Sequence, residues 1–308
     1  MTGSYSTAPG LTLTNTAIAA EDRLIFQIDR SYHDYLYNKR QCRTEDIEKY
    51  YLTDRLSQTT IQTINRYILN RLLQEYPGQF RLHDGLHLEN VATDEKIEFS
   101  PDWVNLTDPI LQYVSLFDAL CSQVQEDIAV IQLTAESDYL TAIHLCSPNH
   151  WSPAEKIGKP FDAIHQPVPA IETTIVNYRK ILNTILNKQG PFCRFAWGIG
   201  TDNRLNHHPQ APLGLNAEQW QGRSQPGHSI PLFVRVERQN LIGFPKINAI
   251  LFTIRTYLYD VDSLSNEEKL KLFKAIQTMT PETIIYKGLE NWQEELENRL
   301  NNCTDSLK

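Results

Sequence analysis

The sequence predicts an α+β protein, a curved antiparallel sheet with flanking N-terminal and C-terminal helices. Two hydrophobic runs of β character, 128–134 and 139–146, flank the polar tetrapeptide Ala135-Glu136-Ser137-Asp138 at hairpin spacing. Helical periodicity is confined to the two ends of the chain and to one excursion between hairpins. No strand–helix–strand alternation is visible, which argues against a parallel sheet. The nearest glycine run, Gly198-Ile199-Gly200, lacks the third glycine and the helix start of a dinucleotide fingerprint.

The elements follow in order. Residues 1–20 are Ser/Thr-rich around Pro9-Gly10 and read as a flexible tail, as do 301–308, leaving 21–300 as one domain. A short helix is expected at 32–40 and a long one over 44–76, with Thr44 as N-cap and Glu45-Asp46 in its first turn. Ile61, Ile64, Ile68 and Leu72 share its apolar face, and Pro77-Gly78 stops it. Short strands fill 81–100, turning at Gly85 and Asp94. Asp108-Pro109 then opens a helix through Ile110, Val114, Phe117 and Leu120, with Asp108 as its N-cap. After the hairpin, Ile171, Ile175, Tyr178, Leu182 and Ile185 mark a long helix ended by Gly190-Pro191. A strand at 194–199, a loop through Gly227, and strands at 230–240 and 249–260 joined across Gly243-Phe244-Pro245 complete the sheet. Helices at 266–278 and 281–300 close the chain.

Composition narrows the function. A chain of 308 residues, 41% of them hydrophobic, can bury a sizeable core. Its net charge of −8, with no basic run, argues against a nucleic-acid partner. Cys42, Cys121, Cys146, Cys193 and Cys303 are scattered without a C-x-x-C pair, which reads as reduced thiols inside a cell. The first twenty residues lack a signal-peptide pattern, and no apolar run is long enough to span a bilayer. A cytoplasmic protein with no membrane partner is expected.

The densest chemical signal is "SPNHWSPAEKIGKPFDAIHQPVP", residues 147–169, where five prolines stiffen the backbone around two histidines. A short helix before His165 must end ahead of Pro167, placing the imidazole at a rigid corner. Such a corner suits a ligand with one ring nitrogen fixed by a carbonyl, or simply a loop histidine satisfied locally. Ser152 and Glu155 have capping-box spacing, so His150 reads as structural or as a lid over a pocket. His144 reads as a satisfied sheet histidine, and His207-His208 lie in a polar loop. No H-x₃-H or H-E-x-x-H spacing supplies a metal cage. A second dense stretch, 233–257, alternates so that Arg235, Glu237 and Gln239 share one strand face. Arg255, in the partner strand, is expected on that same sheet face. The alternatives there are a solvated outer face or a cavity wall.

Three blocks, "SPNHWSPAEKIGKPFDAIHQPVP", "WGIGTDNRL" and "RVERQNLIGFPKINAILFTIRTY", resemble the haem-dependent oxidative N-demethylase alpha-subunit family, in that family's order. Tyr32, Tyr35 and Tyr76-Pro77-Gly78 resemble its N-terminal region. The resemblance implies a PAS-like haem-binding domain over 21–300. It implies b-type haem and O₂ removing a methyl group from a small secondary amine such as dimethylamine, with release of formaldehyde. Electrons would come from a separate flavin and iron–sulfur reductase, a protein partner; no cluster-binding Cys₄ spacing is present here.

The family's Ile-His-x-Pro-Val-Pro falls on 164–169, so the resemblance makes His165 the iron ligand. Trp151, Lys156 and Trp197 lie in the resembling blocks and are placed at the cofactor, with Arg235 or Arg255 pairing its propionates. Glu237, Arg238 and Gln239 match the family's Glu-Arg-Gln and are the expected catalytic set, with Glu237 holding the ammonium group. The chain departs from the family at Ala196, Asn240 and Gly243, where an asparagine, a hydroxyl residue and an arginine are usual. The rival readings are a non-enzymatic haem sensor or carrier, and a PAS-like module binding another small molecule.

Overall fold

The structure, a computed structural model, describes residues 3–188, 190–220 and 230–301. Cys303, the end of the expected C-terminal tail and the loop through Gly227 lie outside these residues. In chain order the elements are β1 (Thr12–Leu13), α1 (Tyr32–Tyr50), β2 (Tyr51–Thr53), α2 (Gln58–Glu75), β3 (Phe80–His83), β4 (His87–Asn90) and β5 (Glu95–Glu98). Next come α3 (Leu116–Cys121), β6 (Asp127–Leu133), β7 (Asp138–His144), α4 (Pro153–Lys156), α5 (Phe161–His165) and α6 (Glu172–Asn187). The chain ends with β8 (Phe192–Gly200), α7 (Ala217–Trp220), β9 (Phe233–Phe244), β10 (Ala249–Asp260), α8 (Asn266–Gln277), α9 (Pro281–Tyr286) and α10 (Gln293–Asn301).

The class is α+β. An open seven-stranded antiparallel sheet has the order β1-β8-β9-β10-β6-β7-β2, and β3-β4-β5 form a small separate meander. Hairpin connections explain the antiparallel pairing of β6 with β7 and of β9 with β10. Three helices, α4 to α6, are inserted between β7 and β8. They cover one face of the sheet, here called the front.

Strand alternation divides the apolar residues between two layers. Ile128, Val130, Ile242 and Leu251 point to the back, against Ile64, Ile68 and Leu72 of α2 and Leu116, Phe117 and Leu120 of α3. Leu232 and Val234 extend that side beneath Leu272, Ile276, Trp292 and Leu296 of the C-terminal helices. On the front, Leu241 and Ile250 meet Leu182, Ile185 and Leu186 of α6. Each such fully buried aliphatic side chain contributes about 1.5–3 kcal/mol. The segment 22–29 runs over the back face. Arg238 donates to the carbonyls of Asp22 (2.7 Å) and Leu24 (2.9 Å), and Asn240 to that of Ile25 (3.0 Å).

Several expected boundaries move. The helix expected over 44–76 is two helices separated by β2, because 51–53 pairs with β7 at the sheet edge. Helix α1 begins at Tyr32 and kinks at Asp46, whose carboxylate accepts from Glu48 N (3.1 Å); the cap of α2 is Ser57, accepting from Thr60 N (3.1 Å). Asp108 caps only a single turn at Pro109–Leu111, which Gln112 ends in the left-handed region (φ 53°) before Ser115 starts α3. Helix 281–300 is likewise two, broken at Gly288 (φ 66°). The β9–β10 connection is Pro245–Ile247, with Gly243 and Phe244 inside the strand. Thr12–Leu13, in the segment expected as a tail, pair with Cys193 and Phe192.

Candidate functional site

Helix α4 opens with Pro153 at its first position and Glu155 Oε2 accepting from Ser152 N (3.5 Å), which matches the expected capping box. Lys156 at its end donates from Nζ to the carbonyl of Ile164 (2.8 Å), tying α4 to α5, and lies 5.9 Å from the centre of the Trp151 ring. Helix α5 is anchored at its start, where Phe161 N donates to Asp138 Oδ2 (2.8 Å). It ends at His165, two residues before Pro167.

The His165 ring is held on two sides. Its Nδ1–H donates to the carbonyl of Phe161 (2.8 Å), and the ring stacks on Phe161 at 4.0 Å between centroids. Phe161 in turn stacks on Tyr178 of α6 (5.5 Å). With Nδ1 carrying the proton, Nε2 presents a lone pair, and among the described residues it meets no hydrogen-bond partner. Burial disfavours the imidazolium; the Phe161 carbonyl opposes this, while the charges of Lys156 and Arg194 reinforce it. The pKa is held down at about 4. The ring is neutral at physiological pH.

Beside this corner lies the front of β8, β9 and β10. Register puts Arg194, Ala196 and Gly198 alongside Gln239, Glu237 and Arg235, which continue onto Ile254, Thr256 and Leu258. Arg194, Ala196, Glu237, Gln239 and Phe252 are only half-buried although they sit inside the sheet. Front-face cover is therefore incomplete there. Phe252 and Ile164 join the apolar cluster of Ala129, Leu140, Ile143 and Trp151, giving that floor a greasy wall. Glu237 accepts from Gln239 Nε2 (3.0 Å) and lies 3.6 Å from Arg235 Nε. Arg235 closes the far end by donating to the carbonyls of Ser147 and Leu205 (3.1 Å) and to Thr256 Oγ1 (3.1 Å).

The structure brings together His165, Trp151, Lys156, Arg235, Glu237 and Gln239 on the front. It does not bring Arg238, Arg255 or Trp197 there. Arg255 was expected to share a face with Arg235, but it lies opposite Arg238 in the register and points to the back. There it donates to Asp29 Oδ2 (2.8 Å) and lies 4.0 Å from the centre of the Tyr35 ring. Trp197 packs edge-on against Tyr5 (5.9 Å), beneath the C-terminal helices.

Three other histidines have partners elsewhere in the fold. His144 is fully buried against Asp118 Oδ1 (3.1 Å), and His207 Nε2 pairs with Asp202 Oδ1 (2.8 Å). His150 stacks on His207 (5.1 Å) and lines a cavity of about 20 Å³ with Lys287 and Trp292, none of whose walls comes from α5. Sequence reasoning assigned nothing to Arg194; its only signal was its period-two phase with Ala196. Among the described residues no group of three or more His, Cys, Asp or Glu is placed to hold a metal ion, and no helix is long and apolar enough to cross a membrane.

What the corner offers is one neutral imidazole with a free lone pair, an apolar wall, two nearby cations and a carboxylate. The sequence matches the family described as haem-dependent oxidative N-demethylase, alpha subunit-like, over residues 17–297, most of its length. The chain belongs to the haem-dependent oxidative N-demethylase alpha-subunit-like family.

Proposed function

We propose that this chain is the haem-bearing subunit of an oxidative N-demethylase, converting a small methylated secondary amine to the amine and formaldehyde. The observation that carries the proposal is His165. In a chain of this family, one imidazole has its Nδ1 fixed on a backbone carbonyl and its Nε2 without a partner among the described residues. In this reading residues 21–300 form one haem-binding unit of PAS-like character, supported by the antiparallel sheet and by the helices lodged on its front between β7 and β8. A cytoplasmic setting fits the free buried thiols of Cys42, Cys121, Cys146 and Cys193.

The residues fit a b-type haem. Holding a haem iron would ask for a neutral imidazole, and burial keeps His165 neutral. The porphyrin asks for an apolar wall, supplied by Phe252, Ile164 and Trp151. Its two propionates ask for cations, and Lys156 and Arg194 lie near enough to depress the His165 pKa. When bound, haem b supplies activation of O₂ with electrons from a separate flavin/iron–sulfur reductase, and oxidation of the N-methyl carbon.

The protein's own part is positional. The Phe161 carbonyl keeps the proton on Nδ1 and fixes the ring plane. Glu237, steadied by Gln239, offers a carboxylate to the substrate's ammonium group. Trp151 and Phe252 limit water at the reacting carbon. Arg235 locks the loop carrying Ser147 and so sets the far limit of the floor.

Hemin added to the haem-free chain should give a Soret band that is lost or strongly shifted in His165→Ala. Dimethylamine, O₂ and a supplied reductase should then yield formaldehyde. A hemin-loaded protein that binds amine without turnover would favour a sensor or carrier, and a chain that takes up no hemin would leave a module for another small molecule.

A further inference from the structure

Among the arginines of the sheet, Arg194 stands apart. Arg235 donates to two carbonyls and Thr256, Arg238 to the carbonyls of Asp22 and Leu24, and Arg255 to Asp29, although Arg235 Nε, Arg238 Nε and Arg238 Nη1 are left without hydrogen-bond partners. Among the described residues Arg194 has no hydrogen bond, ion pair or ring contact through any nitrogen of its side chain, and its Nε is shut off from solvent. Arg194 is half-buried, so its guanidinium is only partly hydrated, and a cation that loses part of its water without gaining an anion is destabilising.

Its surroundings say what is missing. Register with Gln239 puts Arg194 on the front floor, beside Ala196, where the sheet is only half-covered. Its charge reaches both His165 and Glu237. Glu237 is the nearest candidate counter-ion, but it accepts from Gln239 and faces Arg235, and it makes no ion pair with Arg194. The guanidinium is planar and presents its donors in a fork matched to a carboxylate.

The geometry points to Arg194 as a carboxylate-binding residue of this site, built to receive a planar anion carried in by a ligand. Resting on the proposed haem reading, that carboxylate has two sources: a haem propionate, or the acid group of an N-methylated amino acid serving as substrate. The second source would make the substrate class zwitterionic, with Glu237 facing the ammonium end and Arg194 the acid end.

The test uses the full chain with hemin, hemin dimethyl ester, N-methylglycine and dimethylamine as probes, comparing wild type with Arg194→Gln and Arg194→Lys. If the propionate is the partner, Arg194→Gln weakens hemin roughly tenfold, as loss of one charge-assisted pair does. The dimethyl ester then binds both proteins alike. If the substrate acid is the partner, hemin affinity holds while the difference spectrum with N-methylglycine is lost and that with dimethylamine is kept. Arg194→Lys should restore part of either effect, and circular dichroism with melting separates binding loss from misfolding. If wild type takes up no hemin, the haem reading fails, and calorimetry of the haem-free chain with N-methylglycine still decides the carboxylate site. Affinities for hemin and N-methylglycine within twofold of wild type in a folded Arg194→Gln protein would overturn the assignment.

Discussion

The Phe161 carbonyl accepts the Nδ1–H of His165 at 2.8 Å, and the Phe161 ring stacks on the same imidazole at 4.0 Å. One residue thus sets both the tautomer and the plane of the ring. The backbone contact survives any substitution at 161; the stacking does not. Phe161→Ala should therefore keep His165 as ligand but loosen it, lowering hemin affinity about 2- to 10-fold, the worth of one aromatic pair. Hemin titration checks this, with the Soret position unchanged. A wavelength shift would mean that another residue had taken over the iron.

Gly243 in β9 faces the C-terminal turn of α6 with no room to spare. A Cβ built there falls on the Ile185 carbonyl oxygen, 2.6 Å from Leu186 Cα and 2.7 Å from Leu186 O. These are backbone atoms, so relief requires moving the helix. Gly243→Ala should cost at least about 1–3 kcal/mol, measured by urea unfolding. An unchanged midpoint would show that α6 is not seated on the strand. The same contact leaves no room for any side chain at 243, because the helix lies against bare backbone.

Much of the sheet and the His165 corner was legible because the signals were local. Period-two runs gave β6, β7, β9 and β10, and Pro167 fixed the end of α5. What failed needed partners distant in sequence. Tyr51-Leu52-Thr53 continue a plausible helix until β7 claims them as an edge strand. Arg255 changed faces because alternation within one strand is silent about phase relative to its neighbour, which only the pairing of Arg255 with Arg238 supplies. Asn240, noted in the sequence only as differing from the resembling block, holds the Ile25 carbonyl on the back face (3.0 Å). Arg194 was invisible because lacking a partner is a tertiary property.

Glu126 gives a prediction with a definite sign. It is fully buried, with Oε1 accepting from Gln27 N (2.8 Å) and Oε2 without a partner. Burial raises its pKa to about 7, against the opposing charge of Arg255 and the Gln27 hydrogen bond. The folded state therefore holds this proton more tightly than the unfolded chain, and stability falls as pH rises from about 4.5 through 7. Glu126→Gln removes that dependence. Relative to wild type it should gain up to about 3 kcal/mol on going from pH 5 to pH 8. Equal differences in unfolding free energy at the two pH values would refute the argument.

The buried pair of Asp118 and His144 predicts a second loss of stability, at higher pH. Asp118 accepts from His144 Nε2 (3.1 Å), from Arg43 Nε (3.0 Å) and from Val114 N (3.0 Å). Burial resists its charge, but His144 and Arg43 outweigh it and hold the carboxyl below its ordinary range. Burial also resists charge on His144, yet the Cys146 sulfur and Asp118 raise it to about 9. A histidine raised in this way adds stability that is whole below about pH 6.5 and is lost as pH climbs through 9. Asp118→Asn leaves Arg43 and His144 without their shared anion, so it should cost about 3–5 kcal/mol near pH 6. Because wild type gives up the His144 contribution at high pH, the gap between the two proteins should narrow between pH 7 and pH 9.5. Urea unfolding across that range measures it, and a gap that stayed constant would show that His144 is neutral in the folded protein.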